Sequence, residues 1–178
     1  MYIKYDIYDL YINYNRLKMK NLLDRETVNT VKNFLKKNNL YTSIILLDKT
    51  ARSASEAAES LNVKTGAIIK SIIFKSLTNT YYVCLVSGDK TVSIKKLSIL
   101  TNSNIIKPNA SEIKNITGYS IGGVPPIAHK KKLPTYIDSS LSRYNEIYGA
   151  AGHPHCVFKI DYLKICQITD GYICDITN

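Results

Sequence analysis

Lys70 is the residue whose surroundings fit its type least. It stands in Ile68-Ile69-Lys70-Ser71-Ile72-Ile73-Phe74, where both faces of the expected strand are otherwise largely apolar. Burying an ammonium is costly unless it is paired, and lysines so placed serve as anion clamps or carry a lowered pKa. The plainer reading is an edge-strand lysine whose stem covers apolar surface while its head reaches water. A second stretch is Thr117-Gly118-Tyr119-Ser120-Ile121-Gly122-Gly123-Val124-Pro125-Pro126. Its paired glycines permit close backbone approach and its prolines stiffen the exit. Such a loop can aim backbone N–H groups at a phosphate or a developing oxyanion, and it can equally be a plain connection. The third stretch, Gly149-Ala150-Ala151-Gly152-His153-Pro154-His155, puts two imidazoles after a run of small residues. Either ring could relay a proton near neutral pH, and either could be structural.

The chemistry that is missing narrows the reading. No Gly-Lys-Ser/Thr follows the glycine loop, Gly-x-Gly-x-x-Gly is absent, and there is no Gly-x-Ser-x-Gly elbow or carboxylate pair. A hydrolase built on this chain therefore uses an activated water, or the substrate itself, as the attacking group. Cys84, Cys156, Cys166 and Cys174 form no Cys-x-x-Cys and read as small core residues in a reducing compartment. The one tight cluster, His153, His155 and Cys156, lacks a second pair at ligand spacing, so neither a metal nor another cofactor is expected. Lys plus Arg outnumber Asp plus Glu by 24 to 14, and a net charge of +10 favours a polyanionic partner, nucleic acid first. The Lys130-Lys131-Lys132 run is either a solvated loop or a contact to a phosphate backbone. No run approaches the roughly 18 apolar residues of a membrane span, and the start lacks an apolar signal core. A cytoplasmic protein with no membrane partner is the expectation.

The elements that must position these residues follow from periodicity. A length of 178 residues with 45% apolar and 21% charged residues favours one folded domain. Residues 1–18 stand apart, with Tyr2, Tyr5, Tyr8, Tyr11 and Tyr14 at a spacing of three, and are read as an extension outside a domain spanning 19–178. Val28, Val31 and Leu35 mark a helix from Asp24 to Asn38-Asn39, and Ser43 to Asp48 a strand. Ser53-x-x-Glu56 is a capping box opening a short helix that Asn62 closes. Ala67–Lys75 and Thr80–Ser87 read as a hairpin, followed by a turn over Ser87–Lys90. A helix over Ile94–Leu100, a strand near Ile105 and a helix begun by Asn109 lead to the glycine loop. Short strands follow at Tyr136–Asp138, Glu146–Gly149, Cys156–Ile160 and Tyr172–Ile176, with a helix near Tyr162–Cys166. Without regular βαβ alternation the pattern predicts a single compact α+β domain with a curved, mostly antiparallel mixed sheet or small barrel flanked by short helices.

Taken in order, these segments resemble the YbaK/ProX family of aminoacyl-tRNA deacylases, relatives of the editing insertion of bacterial prolyl-tRNA synthetases. The resemblance is carried by Thr50-Ala51 with Ala57-Ala58, Ile69-Lys70-Ser71 leading to Phe74, and Val86-Ser87-Gly88-Asp89 before Lys95-Lys96-Leu97. It continues through Thr117-Gly118-Tyr119 to Pro126, Leu133-Pro134, Ile137-Asp138 and Ala150 to His155, and so covers roughly Leu40 onward. Ala128 departs from the family, which usually has glycine there. The resemblance implies a metal-free, free-standing trans-editing enzyme that hydrolyses the ester of a tRNA carrying a small noncognate amino acid such as Cys, Ala, Ser or Thr. It places the family's essential lysine on Lys70, with Ser71 beside it, as a clamp on the terminal nucleotide or aminoacyl group. The mechanism then expected is that backbone N–H groups of Gly122-Gly123 or Gly152 polarise the ester carbonyl and a water attacks, the substrate's own side chain attacking instead in some relatives. Tyr119, Val124, Pro125, Pro126, His153, Pro154 and His155 are then expected at the substrate, and Lys130, Lys131 and Lys132 at the tRNA backbone. The implied partners are the acceptor end of an aminoacyl-tRNA and, for selection of the tRNA, an aminoacyl-tRNA synthetase. A non-catalytic tRNA- or synthetase-binding module of the same fold is the alternative.

Overall fold

The computed structural model describes residues 21–47, 51 and 53–178. The tyrosine-rich start, Met19, Asp48 and Thr50 lie outside the described residues. Helix α1 (Glu26–Lys37) buries Val28, Val31 and Leu35 completely, as their three-to-four spacing predicts. Each such aliphatic side chain contributes about 1.5–3 kcal/mol of gross burial energy, which fixes the helix against the sheets. After β1 (Ile44–Leu46), α2 (Ala54–Leu61) starts at a complete capping box, with Ser53 Oγ accepting from Glu56 N–H at 3.2 Å. It ends at Asn62 in the left-handed conformation.

A 3₁₀ turn, Thr65–Ala67, leads into β2 (Ile69–Ser76), which pairs antiparallel with β3 (Tyr81–Ser87). Then come α3 (Ile94–Thr101), β4 (Ile105–Ile106), α4 (Ala110–Thr117) and β5 (Thr135–Asp138). A second 3₁₀ turn, Ser139–Arg143, precedes β6 (Glu146–His153), β7 (Cys156–Asp161), α5 (Tyr162–Thr169) and β8 (Tyr172–Cys174).

The strands form two sheets, ordered β1-β7-β6 and β4-β2-β3-β5-β8. The first is antiparallel, whereas β3 pairs parallel with β5 and β5 parallel with β8. A single bridge, Ile68 to Tyr148, joins the two. The α+β class is therefore as predicted, but the one curved sheet is two, and no barrel closes. A shift of register interrupts the β6–β7 pairing between Ala150 and His153.

The five-stranded sheet is covered on both sides. Ile69, Ile73, Val83 and Leu85 face a core shared with α1, Phe158 and Ile165, while Phe74, Cys84 and Val86 face a second core with Leu97 and Ile176. Burial on both faces explains why β2 reads as a continuous apolar run rather than an alternating one. It also explains why Lys70 stands out within it.

Candidate active site

The outer half of β2 is covered on both edges, by β3 throughout and by β4 at Lys75 and Ser76. Its inner half has β3 on one edge only, apart from the bridge at Ile68. Against that half-open stretch lies a cavity of about 540 Å³. Its walls are the first turn of α2 (Ser53, Ala54, Ser55), the residues Ile68–Ile72, the turn at Gly88, the loop residues Ile121, Gly122 and Val124, and Ala150, Pro154, Cys156 and Val157. The size suits a small ligand, and the lining is mostly small and aliphatic with a few polar groups.

Lys70 supplies the cationic side chain of this cavity. Its Nζ donates to the carbonyl of Lys90, and it has no carboxylate at ion-pair distance among the described residues. Partial burial holds its pKa below the usual lysine value, and the carboxylate of Asp89 partly counters that shift. Asp89 itself is gripped by Arg143, Nη2 to Oδ1 at 2.7 Å and Nη1 to Oδ2 at 3.0 Å, which holds its carboxyl below the usual range. The same guanidinium donates to Ser87 Oγ at 3.1 Å, and that hydroxyl donates to the Gly66 carbonyl at 2.7 Å. The Asp89–Arg143 pair thus leaves Lys70 with a charge neighbour but without a salt-bridge partner. The positive end of α2 adds a second attraction for an anion at the same cavity.

The two glycine-containing loops, about thirty residues apart in the sequence, meet here. Gly122 has φ +86°, and a Cβ there would touch the Pro154 ring at 3.5 Å; Gly123 lies 3.0 Å from the His153 backbone by the same measure. Only glycine gives that backbone-on-backbone contact. The Gly123 N–H donates to the Ser120 carbonyl at 3.0 Å, so it is already engaged. Gly122, exposed at the cavity, donates its N–H to no group among the described residues. Gly152 points elsewhere: it is buried with φ +83°, and a Cβ would strike the Thr27 carbonyl of α1 at 2.5 Å. Of the three glycines proposed from sequence, Gly122 alone lines the cavity.

The other expected residues divide likewise. Ser71, Val124 and Pro154 line the cavity; Tyr119, Pro125, His153 and His155 do not. Tyr119 is a core residue whose hydroxyl donates to the Ala128 carbonyl at 2.8 Å, and burial pushes its pKa up to about 12. Pro125 is buried and its carbonyl meets the His129 ring at 2.7 Å. The imidazoles of His153 and His155 stack on each other, 5.6 Å between centroids, with the His155 backbone N–H donating to His153 Nδ1. Burial, then the Arg25 and His155 charges, hold the His153 pKa below its ordinary value. A neutral ring accepting at Nδ1 carries its proton on Nε2. Pro126, Lys131 and Lys132 line a separate cavity, and Lys130 is exposed beside it.

Sequence reasoning missed Ala51, Ile121, Cys156 and Val157 as lining residues, because ordinary apolar and small residues give no local sign of facing a cavity. Cys156 is no nucleophile at neutral pH: burial raises its thiol pKa to about 11. Ser71 Oγ is buried and has no hydrogen-bond partner, and so no activating base, among the described residues. Among the described residues no group of three or more His, Cys, Asp and Glu stands together to hold a metal ion, and no helix is long and apolar enough to cross a membrane.

A family model described as an aminoacyl-tRNA editing domain matches residues 48–167. EbsC of Enterococcus faecalis, provisionally named a Cys-tRNA(Pro)/Cys-tRNA(Cys) deacylase, is 29% identical over 126 residues, which are 70% of this chain and 77% of EbsC. A crystal structure provisionally described as a trans-editing enzyme for prolyl-tRNA synthetase superposes with a TM-score of 0.82 at 28% identity, over 86% of this chain and 98% of that one. The hypothetical protein APE2540 superposes with a TM-score of 0.78 at 25% identity, over 84% of this chain and 99% of its own.

Proposed function

Because the chain belongs to the aminoacyl-tRNA editing domain family, we propose that it is a trans-editing deacylase that hydrolyses the ester between a small noncognate amino acid and its tRNA. The single observation that carries this is Lys70, an ammonium with no carboxylate partner among the described residues, in a cavity otherwise lined mostly by small and aliphatic residues. Such a cavity accepts a small side chain and offers a cation to the oxygens of the terminal nucleotide or the ester.

The reaction asks little of the protein, since an aminoacyl ester is already activated. Water adds to the carbonyl carbon, the bond to the ribose oxygen breaks, and that oxygen takes up the proton that water gives away. Lys70 holds the substrate, and the Gly122 N–H donates to the carbonyl oxygen as negative charge grows on it. No thiolate or base-activated hydroxyl is needed. A pocket of this kind distinguishes a methylene by about 1–3 kcal/mol, so cysteine, alanine, serine and threonine all enter the reading. The acceptor end of the tRNA is the macromolecular partner, a synthetase is the proposed source of tRNA selection, and the work lies in the cytoplasm.

The test is release of labelled amino acid from Cys-, Ala-, Ser- and Thr-charged noncognate tRNAs, with wild type beside Lys70→Ala. Release from one species that disappears in the variant is the expected result and names the substrate. Release only on adding a synthetase assigns tRNA selection to that partner. No release under either condition, with tRNA still bound, refutes the deacylase reading in favour of a binding module.

A further inference from the structure

A second cavity, about 560 Å³, opens between α1, the segment Pro126–Leu133 and α5, and the hydrolysis described above makes no use of it. Its lining combines the ring of Phe34, the side chain of Asn38 and two cations, Lys131 and Lys132. Lys131 has no acidic partner among the described residues. Lys132 faces Asp170 at 3.5 Å with both side chains 84% exposed, a contact that water largely screens. An aromatic side chain and two cations in one lining are what a base and its phosphate require.

The wall of this cavity is also held in a strained shape. Ala128 has φ +61°, a left-handed backbone that costs a residue with a Cβ about 1 kcal/mol. The Tyr119 hydroxyl holds its carbonyl at 2.8 Å, the His129 ring is tied to the Pro125 carbonyl, and the Lys130 N–H donates to the Thr117 carbonyl at 2.9 Å. Strain maintained by its surroundings is a feature of ligand clamps. Position supplies the last point. Val124 lines the first cavity and Pro126 the second, and two residues of chain span at most about 7 Å, so the linings of the two come within that distance of each other.

We propose that the second cavity binds the single-stranded 3′ end of the tRNA one nucleotide before the terminal adenosine, with a base against Phe34 and phosphates at Lys131 and Lys132. The proposal rests on the deacylase reading for the identity of the strand. It predicts that the enzyme reads two or more terminal nucleotides, one in each cavity.

Anisotropy of fluorescently tagged nucleotides on the full chain tests this without any ester. A 5′-tagged CCA trinucleotide is expected to bind at least about tenfold tighter than tagged adenosine monophosphate. Lys131→Ala with Lys132→Ala should erase most of that difference and lower the slope of log affinity against log salt by about 1.4, at roughly 0.7 per single-strand phosphate. Phe34→Leu, which keeps an apolar side chain, should also erase it without changing the salt slope. Equal affinity for trinucleotide and mononucleotide, or an unchanged preference in the lysine variant, each overturns the proposal. A protein that shows the preference but releases no amino acid keeps this inference and loses the deacylase reading. A deacylase indifferent to the added nucleotides does the reverse.

Discussion

Two lysines five residues apart on β2 have opposite surroundings. Lys75, on the half covered by β4, makes an ion pair with Glu112, which also accepts from the Tyr81 hydroxyl at 3.3 Å and caps α4 through the Asn109 N–H at 2.8 Å. That hydrogen-bonded carboxylate raises the Lys75 pKa. Lys70, on the half left open, has a carbonyl and a more distant carboxylate instead, and burial lowers its pKa. The charge of Lys75 is already matched within the fold, whereas Lys70 lies at the cavity. A lysine in an apolar strand is thus no indication of function by itself; what sets Lys70 apart is that no counter-charge stands at ion-pair distance among the described residues.

The largest expected effect separates the two by substitution. Lys70→Ala is expected to keep its fold and thermal midpoint close to wild type while kcat/KM for deacylation falls by about 10- to 100-fold, the range for losing one charge-assisted hydrogen bond to substrate. Lys75→Ala should do the opposite, lowering the melting temperature while the folded protein keeps kcat/KM near wild type. Equal activity losses in the two variants would break the comparison, since the cavity would then owe nothing particular to Lys70.

A smaller effect tests the paired half alone. Lys75 first, then the Asn109 N–H, hold the Glu112 carboxyl below its usual pKa, so the folded state favours the carboxylate more than the unfolded chain does. Its contribution to stability is present above the ordinary glutamate pKa and is lost as pH falls through the depressed value. Glu112→Gln keeps a side chain able to cap α4 but removes the charge. Between neutral pH and the acid range, melting scans should therefore show wild type losing more stability than Glu112→Gln, with deacylation at neutral pH similar in both. Parallel acid profiles would remove Glu112 as the locking charge.

Lys70 was legible in the sequence because the conflict between an ammonium and an apolar run is local. The capping boxes at Ser53 and Asn109 were legible for the same reason, since each is complete within four residues. The cavity was not, because its walls come from α2, β2, the glycine loop and the β6–β7 turn, and only long-range pairing brings them together. Three glycines from two loops also took three different roles. Gly122 reaches the cavity, the Gly123 N–H closes a turn on Ser120, and Gly152 makes room for the backbone of α1. None of those contacts is written in the spacing of the glycines. The strands, too, were readable one at a time, whereas which edges pair, and hence two sheets in place of one, rests on contacts between segments far apart in the chain.

The smallest effect tunes the open half without touching Lys70. The ammonium persists below the lowered pKa of Lys70 and is lost as pH rises through it, so a clamp that needs the charge weakens on the alkaline side at lower pH than an ordinary lysine would. Asp89 favours the charged form. Asp89→Asn removes that support and leaves Arg143 as an uncompensated cation nearby, so both changes move the alkaline limb of kcat/KM to lower pH. Arg143→Met leaves the Asp89 carboxylate unneutralised and should move the limb the other way. The measurement is the pH profile of kcat/KM with spontaneous ester hydrolysis subtracted, for wild type and both variants. Opposite displacements of the two variants assign the limb to the Lys70 ammonium, and displacements of the same sign, or none, assign it to another group and detach Lys70 from the rate.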